Sequence, residues 1–230
     1  PLGEELTKAK ISDNLIESLT PRIIKSDEWK TRKFRRYDIS SIVPRIYPGK
    51  KHPINQVIEY VRRIWLDMGF QEMTGDFLQT SFWNFDALFT AQDHPVRELQ
   101  DTLFVKDPKY GNLPENEIVK RVKETHENGW TTDSKGWGYT WDPEEAKRNV
   151  LRTHTTVLSA LTISKLKKQD LPAKFFAVGK CFRNEALDWS HLFEFNQTEG
   201  IVIDPNANFK QLLGYLKEFA NKMGFERVRF

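Results

Sequence analysis

Cysteine is nearly absent: Cys181 is the single one in 230 residues. One thiol cannot close an internal disulfide, and a zinc site built on several cysteines is excluded with it. Histidine is sparse as well, five in all, and no two stand at helix-metal spacing. No apolar run approaches the roughly 18 residues that a bilayer-spanning helix needs. The opening PLGEELTKAK holds no apolar signal-peptide core. These absences predict a reducing, cytoplasmic setting without membrane contact. The sequon Asn196-Gln197-Thr198 is then chance. Glycine-built phosphate cradles are missing too. There is no G-x-x-x-x-G-K-[ST], and Gly136-Trp137-Gly138 lacks the third glycine of a dinucleotide loop. A nucleotide site here has to use side-chain arginine and metal.

What is present is enough for a core. Hydrophobic residues make up 39% and aromatics 13%, which excludes wholesale disorder. The formal charge of +3 suits an RNA partner, and many soluble proteins share it. Residues 1–50 read as an N-terminal arm and connector. ISDNLIESLT predicts a short helix stopping at Pro21. WKTRKFRRYD, 29–38, mixes basic residues with Trp29, Phe34 and Tyr37. It reads as an extended segment with its charges in water, or as a phosphate-backbone contact.

Residues 51–230 read as one domain. Ile54, Val57, Ile58, Val61, Ile64, Trp65 and Met68 recur at helical spacing after Pro53 and stop before Gly69. The stripe packs within the domain or against a partner. A second such stripe runs from Phe209 to Met223, before Gly224. Both close on Met-Gly-Phe and lead toward strand-like segments. Residues 106–142 read mostly as loop, and 155–168 as helix. Residues 175–182 and 193–203 read as strands joined by a polar loop too long for a minimal turn. Cys181 reads as a small buried strand residue.

The second strand carries unusual chemistry. Phe193, Phe195, Gln197, Glu199, Ile201 and Ile203 share one face. Burying the amide and carboxylate without partners costs about 1–3 kcal/mol each, and more for the charge, so this face reads as a pocket floor. Its polar groups suit a ligand ammonium, and Phe195 offers a stacking surface. Arg183 supplies a planar donor suited to phosphate. Glu185 orients that arginine or accepts from an adenine amine. The parts suggest a nucleotide and an amino acid on one antiparallel floor.

FRNEALDWSHLFEFNQTEG, 182–200, resembles motif 2 of class II aminoacyl-tRNA synthetases. More narrowly it is similar to the phenylalanyl-tRNA synthetase α-subunit family of the archaeal and eukaryotic cytosolic kind, which reads F-R-x-E, D-x-x-H, E-F-H-Q-x-E-G. HPINQVIEYVRRIWLDMGFQEMTGD resembles motif 1. SFWNFDALFTAQDHPVRELQDTLFV and LRTHTTVLSA also match, so the likeness covers about residues 20–230. It implies an α+β fold, the class II antiparallel sheet flanked by helices. It implies ATP and Mg²⁺, phenylalanine and tRNA(Phe) as substrates, and a β subunit in an (αβ)₂ heterotetramer. Arg183 would bind the α-phosphate as the catalytic cation. Glu185 and Phe195 would meet the adenine, and His191 would lie near the phosphates. His154, Thr156, Gln197 and Glu199 would surround the phenylalanine. Metal ligands stay unassigned.

Asn196 replaces the usual His, and Trp189-Ser190 and Phe193 depart from the family loop. Motif 3, with its γ-phosphate arginine, is not found. The expectation is therefore a fragment of a longer subunit, incomplete at the C-terminus and inactive or nearly so alone. The rival readings are a non-catalytic synthetase-like RNA-binding or regulatory module, and an amino-acid-binding module.

Overall fold

The computed structural model describes residues 15–36, 48–98 and 102–230, and the chain divides into two compact units, Pro1–Lys50 and Lys51–Phe230. In the first unit, residues 15–20 are extended, not helical, and Ile16 pairs with Phe34 in a parallel bridge. Pro21 begins a helix rather than ending one: α1 is Pro21–Lys25, capped by Thr20, whose hydroxyl accepts from Ile23 N. The reversal has a local cause. Proline lacks the N–H that a first-turn position leaves unbonded anyway. Trp29 and Phe34 are exposed; residues 11–14 and Tyr37 lie outside the described residues.

The second unit opens with α2, Pro53–Asp67, started by the His52 side chain, which accepts from Ile54 N at 3.3 Å. Gly69, at φ +79°, provides the left-handed exit. The apolar stripe is only partly covered. Val61, Ile64 and Trp65 are buried, whereas Ile54 and Val57 are exposed. Next come β1 (Gln71–Glu72), β2 (Leu78–Thr80) and α3 (Ser81–Asn84). α4 (Asn116–Asn128) follows, then α5 (Pro143–Lys147), β3 (Asn149–Leu151) and α6 (Thr156–Ile163). The series ends with β4 (Ala173–Phe182), β5 (Glu194–Ile203) and α7 (Phe209–Lys222). Among the described residues no helix is long and apolar enough to cross a membrane.

α4 corrects the loop reading of 106–142. Its Ile118, Val119 and Val122 pack on the cluster of Phe82, Trp141 and Ala146. Charged residues fill the rest of the helix and support it through i,i+4 pairs such as Arg121–Glu117 at 3.0 Å. α6 is shorter than the 155–168 span: after Ile163 the backbone tightens, with Lys165 N and Leu166 N bonding the Thr162 and Ile163 carbonyls three residues back. Residues 225–230 form no strand here.

β4 and β5 form the expected antiparallel pair, in register from Ala173 opposite Ile203 to Phe182 opposite Glu194. β1 adds to β4 in parallel. Alternation along the pair makes two faces. One presents Phe176, Val178 and Val202 to Trp65, Phe70 and Phe219. Gly200 belongs to it, because a Cβ there would lie 2.5 Å from the Trp65 ring. The Tyr60 hydroxyl donates to the Lys222 carbonyl and ties α2 to α7. The other face joins Phe175, Ala177 and Ile201 to Met73, Val157 and Leu158. α6 therefore covers the face on which Gln197 and Glu199 stand.

Candidate active site

Glu199 sits in the middle of β5, under the start of α6. Its carboxylate accepts from Thr156 Oγ1 at 2.6 Å, Ser159 Oγ at 2.5 Å and Thr155 Oγ1 at 3.3 Å. An ionised carboxylate has about four acceptor sites. Three hydroxyls leave room for one more donor, and an ammonium is the strongest candidate by charge. Sequence reasoning found Thr156 but missed Ser159 and Thr155. The i,i+3 spacing from Thr156 to Ser159 on a helix was the signal available.

Gln197 lies two residues earlier, opposite Gly179. Its Oε1 is 3.8 Å from Cys181 Sγ. Cys181 is fully buried, and burial pushes its thiol up to about 11, which fits the inert role expected of it. Gly179 makes space for Arg152, since a Cβ would come 2.3 Å from its guanidinium. Arg152 is buried and donates to the Lys180 and Gly75 carbonyls at 2.8 and 3.2 Å. Sequence reasoning did not find this arginine.

Arg183 follows β4 directly. Its guanidinium lies 4.9 Å from the Phe195 ring centre, and its Nε donates to the Thr153 carbonyl at 3.3 Å. Phe195 is half-buried and Arg183 exposed. The cation thus rests on the aromatic side of the floor with much of its donor fork turned to solvent. Arg183 and Glu185 line a cavity of about 350 Å³ with Thr153, His154, Phe85, Thr90 and Val96. That is near the lower end of small-molecule sites. A larger hollow of about 460 Å³ lies beside α7, around Trp65, Tyr215 and Leu216. The cation, the imidazole and the Glu185 carboxylate line the smaller one, whereas Glu199 is among the residues lining the larger.

His154 is fixed through its neighbour. Asn84 donates to the Thr153 hydroxyl at 3.0 Å and accepts from Thr153 N at 3.2 Å. Burial holds the His154 imidazole below its usual range, so the ring is neutral at pH 7. Its buried Nδ1 has no partner among the described residues. An orphaned polar atom beside a cavity fits a site made for a polar ligand.

His191 stands apart, exposed in the loop between β4 and β5. Its Nδ1 is 2.9 Å from Asp188, whose Oδ1 also accepts from the Ser190 and His191 amides. The carboxylate raises the imidazole above its ordinary value, and the imidazole in turn lowers Asp188. Trp189, at the tip, is 97% exposed. The fold therefore brings together Arg183, Glu185, Phe195 and His154, and places Thr156, Gln197 and Glu199 along the same face. It leaves His191 outside that cavity, exposed in the loop. Among the described residues no group of three or more His, Cys, Asp or Glu could hold a metal ion.

Residues 36–230 match the family model for the class II core domain of tRNA synthetases. The phenylalanine–tRNA ligase alpha subunit of Methanopyrus kandleri is 46% identical over 231 residues, 99% of this chain and 44% of that protein. That of Methanoculleus marisnigri is 51% identical over 213 residues, 93% of this chain and 43% of the relative. That of Archaeoglobus fulgidus is 48% identical over 229 residues, 99% and 47%. The chain spans less than half the length of these relatives.

Proposed function

Since the chain belongs to the class II core-domain family of tRNA synthetases, we propose that it carries the phenylalanine-activating site of a phenylalanine–tRNA ligase α subunit. In this reading a phenylalanine carboxylate oxygen attacks the α-phosphorus of ATP in line. The new P–O bond forms as the bond to the β-phosphate oxygen breaks, and pyrophosphate leaves with the electron pair. A ribose hydroxyl of tRNA(Phe) then takes the aminoacyl group and AMP departs. Little covalent chemistry falls to the protein; positioning and charge neutralisation carry the rate.

Each side chain then has a task. Arg183, braced on Phe195, meets the α-phosphate, and Phe195 stacks on adenine with Glu185 beside it. The hydroxyl-held carboxylate of Glu199 takes the ammonium, together with Gln197 and Thr156. Neutral His154 offers its free nitrogen near the amino acid, and His191 reaches the phosphates from the exposed loop. Mg²⁺ would come with the nucleotide, held by its phosphates, by water and by one or two carboxylates, and would neutralise phosphate charge there.

The observation that carries this reading is the guanidinium seated on Phe195, on the same strand face as Glu199. A pocket for phenylalanine rejects an added hydroxyl poorly, so correction of tyrosine errors is expected; the family resemblance gives that task to a β subunit in an (αβ)₂ assembly, in the cytoplasm. The test is phenylalanine-dependent ATP–pyrophosphate exchange by the full-length subunit, with and without that partner. No exchange in either case, with nucleotide binding kept, would favour a non-catalytic RNA- or amino-acid-binding module.

A further inference from the structure

The cavity at Arg183 is walled on one side by Phe85, Thr90 and Val96. They belong to a segment with little regular structure of its own. It holds two single 3-10 turns, Asp86–Leu88 and Pro95–Arg97, and Phe89 between them takes the left-handed φ of 61°. Bulky residues seldom hold that conformation unless the surroundings impose it. Within the segment, Arg97 donates to the buried Asp86 carboxylate at 2.9 Å and to the Thr90 carbonyl. Thr102 Oγ1 donates to the Val96 carbonyl at 2.7 Å, and a further set of restraints comes from residues 126–142, whose bonded partners lie forty or more positions away along the chain.

These restraints fall on backbone groups that alternate with the wall residues. His126 Nε2 lies 2.8 Å from the Asp86 carbonyl. Trp137 Nε1 donates to the Phe89 carbonyl at 3.1 Å, and the two rings stack at 5.2 Å. Gln92 N donates to the Tyr139 hydroxyl at 3.1 Å. The Gln92 side chain bonds both backbone groups of Asp142, at 2.7 and 2.8 Å. Tyr139 OH is also 2.7 Å from His126 Nδ1. One proton arrangement serves them all. The tyrosine hydroxyl accepts from Gln92 and donates to Nδ1, so Nε2 carries the hydrogen that reaches the Asp86 carbonyl. Burial keeps the imidazole neutral, as that arrangement requires.

We propose that His126, Trp137 and Tyr139 are positioning residues of the activation reaction, clamping segment 85–97 so that Phe85, Thr90 and Val96 hold their places against Arg183 and Glu185. The inference rests on the proposed function for its consequence, but the clamp itself does not. None of the three residues lines the cavity. Their effect passes through Asp86, Phe89 and Gln92.

Two substitutions test it in the full-length subunit with its partner. Trp137→Phe keeps an aromatic ring beside Phe89 and removes the indole donor at a half-exposed position. Tyr139→Phe leaves Gln92 N and His126 Nδ1 without their shared partner. Amide deuteration of residues 85–97 is measured without substrates, alongside kcat and KM for ATP in pyrophosphate exchange and the melting temperature. Deuteration at least fivefold faster in that segment is expected. KM for ATP should rise threefold or more, with kcat within twofold and the melting temperature of Trp137→Phe within a few degrees. Deuteration equal to wild type in both variants overturns the clamp. Faster deuteration with unchanged KM overturns its role in the reaction. If unaltered protein activates no phenylalanine, the functional reading and the reaction role fail together, and deuteration alone decides the clamp.

Discussion

The Thr156 hydroxyl donates to the Glu199 carboxylate at 2.6 Å, joining the first residue of α6 to the middle of β5. Ser159, one turn on, reaches the other oxygen. The carboxylate is thus held by groups that can reverse their hydrogen bonds. Glu199→Gln keeps the shape, and a hydroxyl can turn to accept from the new amide. The folded chain should lose little stability, while the ammonium loses its counter-charge. KM for phenylalanine is expected to rise at least tenfold in pyrophosphate exchange, with the denaturation midpoint near that of wild type. An unchanged KM would remove the amino-acid role from Glu199.

Arg183 tests the other end of the floor. Arg183→Ala in the full-length subunit should slow adenylate formation at least tenfold, equivalent to about 1.4 kcal/mol of transition-state stabilisation. Arg183→Lys should recover only part of this, because an ammonium lacks the planar fork that lies against Phe195. Single-turnover adenylate formation with both variants is the measurement. Equal rates for wild type and Arg183→Ala would refute the phosphate role.

The strands were legible because period-two alternation separates Phe195, Gln197 and Glu199 from Asn196 and Thr198 without help from the rest of the chain. The helices at 53–67 and 209–222 were legible from their apolar stripes and the glycines after them. The α4 helix was not. Its apolar residues are few, and its evidence lies in what Ile118 and Val122 touch. The cavity wall was invisible for the same reason: Phe85, Thr90 and Val96 meet Arg183 only through tertiary packing. Pro21 misled because proline both stops and starts helices, and the Thr20 cap decides between the two.

Gly200 faces the indole of Trp65, where a Cβ would approach to 2.5 Å. That ring cannot retreat easily. It packs at 4.6 Å from Phe219 and 4.8 Å from Phe70, and its Nε1 donates to Thr198 at 2.8 Å. Overpacking of this kind costs about 1–3 kcal/mol. Gly200→Ala should lower stability by that amount in denaturant titration, whereas Gly214→Ala, with open space at its Cβ, should not lower it. Equal midpoints for the two variants would contradict the packing on this face.

Cys181 is buried, and its thiol is pushed up to about 11 by that burial. The thiolate is the reactive form, so alkylation by iodoacetamide at pH 8 should be at least a hundredfold slower in the native chain than in denaturant. Mass spectrometry of the labelled peptide reads this directly. Rapid native labelling would show that β4 opens at the Gln197 side of the floor.

The response to acid follows from two buried imidazoles. Burial lowers both His126 and His154 below the ordinary value near 6.5. Below that value the unfolded chain takes up protons that the folded chain resists, so unfolding binds protons and stability falls as pH falls. His191 acts oppositely. Its value is raised by Asp188, so its contribution is complete below 6.5 and disappears as pH rises through the higher folded value. The two effects occupy different windows. The exposed His191 pair is weak by its solvent screening; on the acid side the two buried rings destabilise, while burial raises the Asp86 carboxyl, which opposes them as pH falls through its folded value. The melting temperature should drop between pH 7 and pH 5.5. His126→Gln should start lower at pH 7 and show a shallower drop, because one of the two titrating groups is gone while an amide keeps part of the contact to the Asp86 carbonyl. A slope identical to wild type would mean that His126 takes its proton equally well in both states, which its place between Tyr139 and Asp86 does not allow.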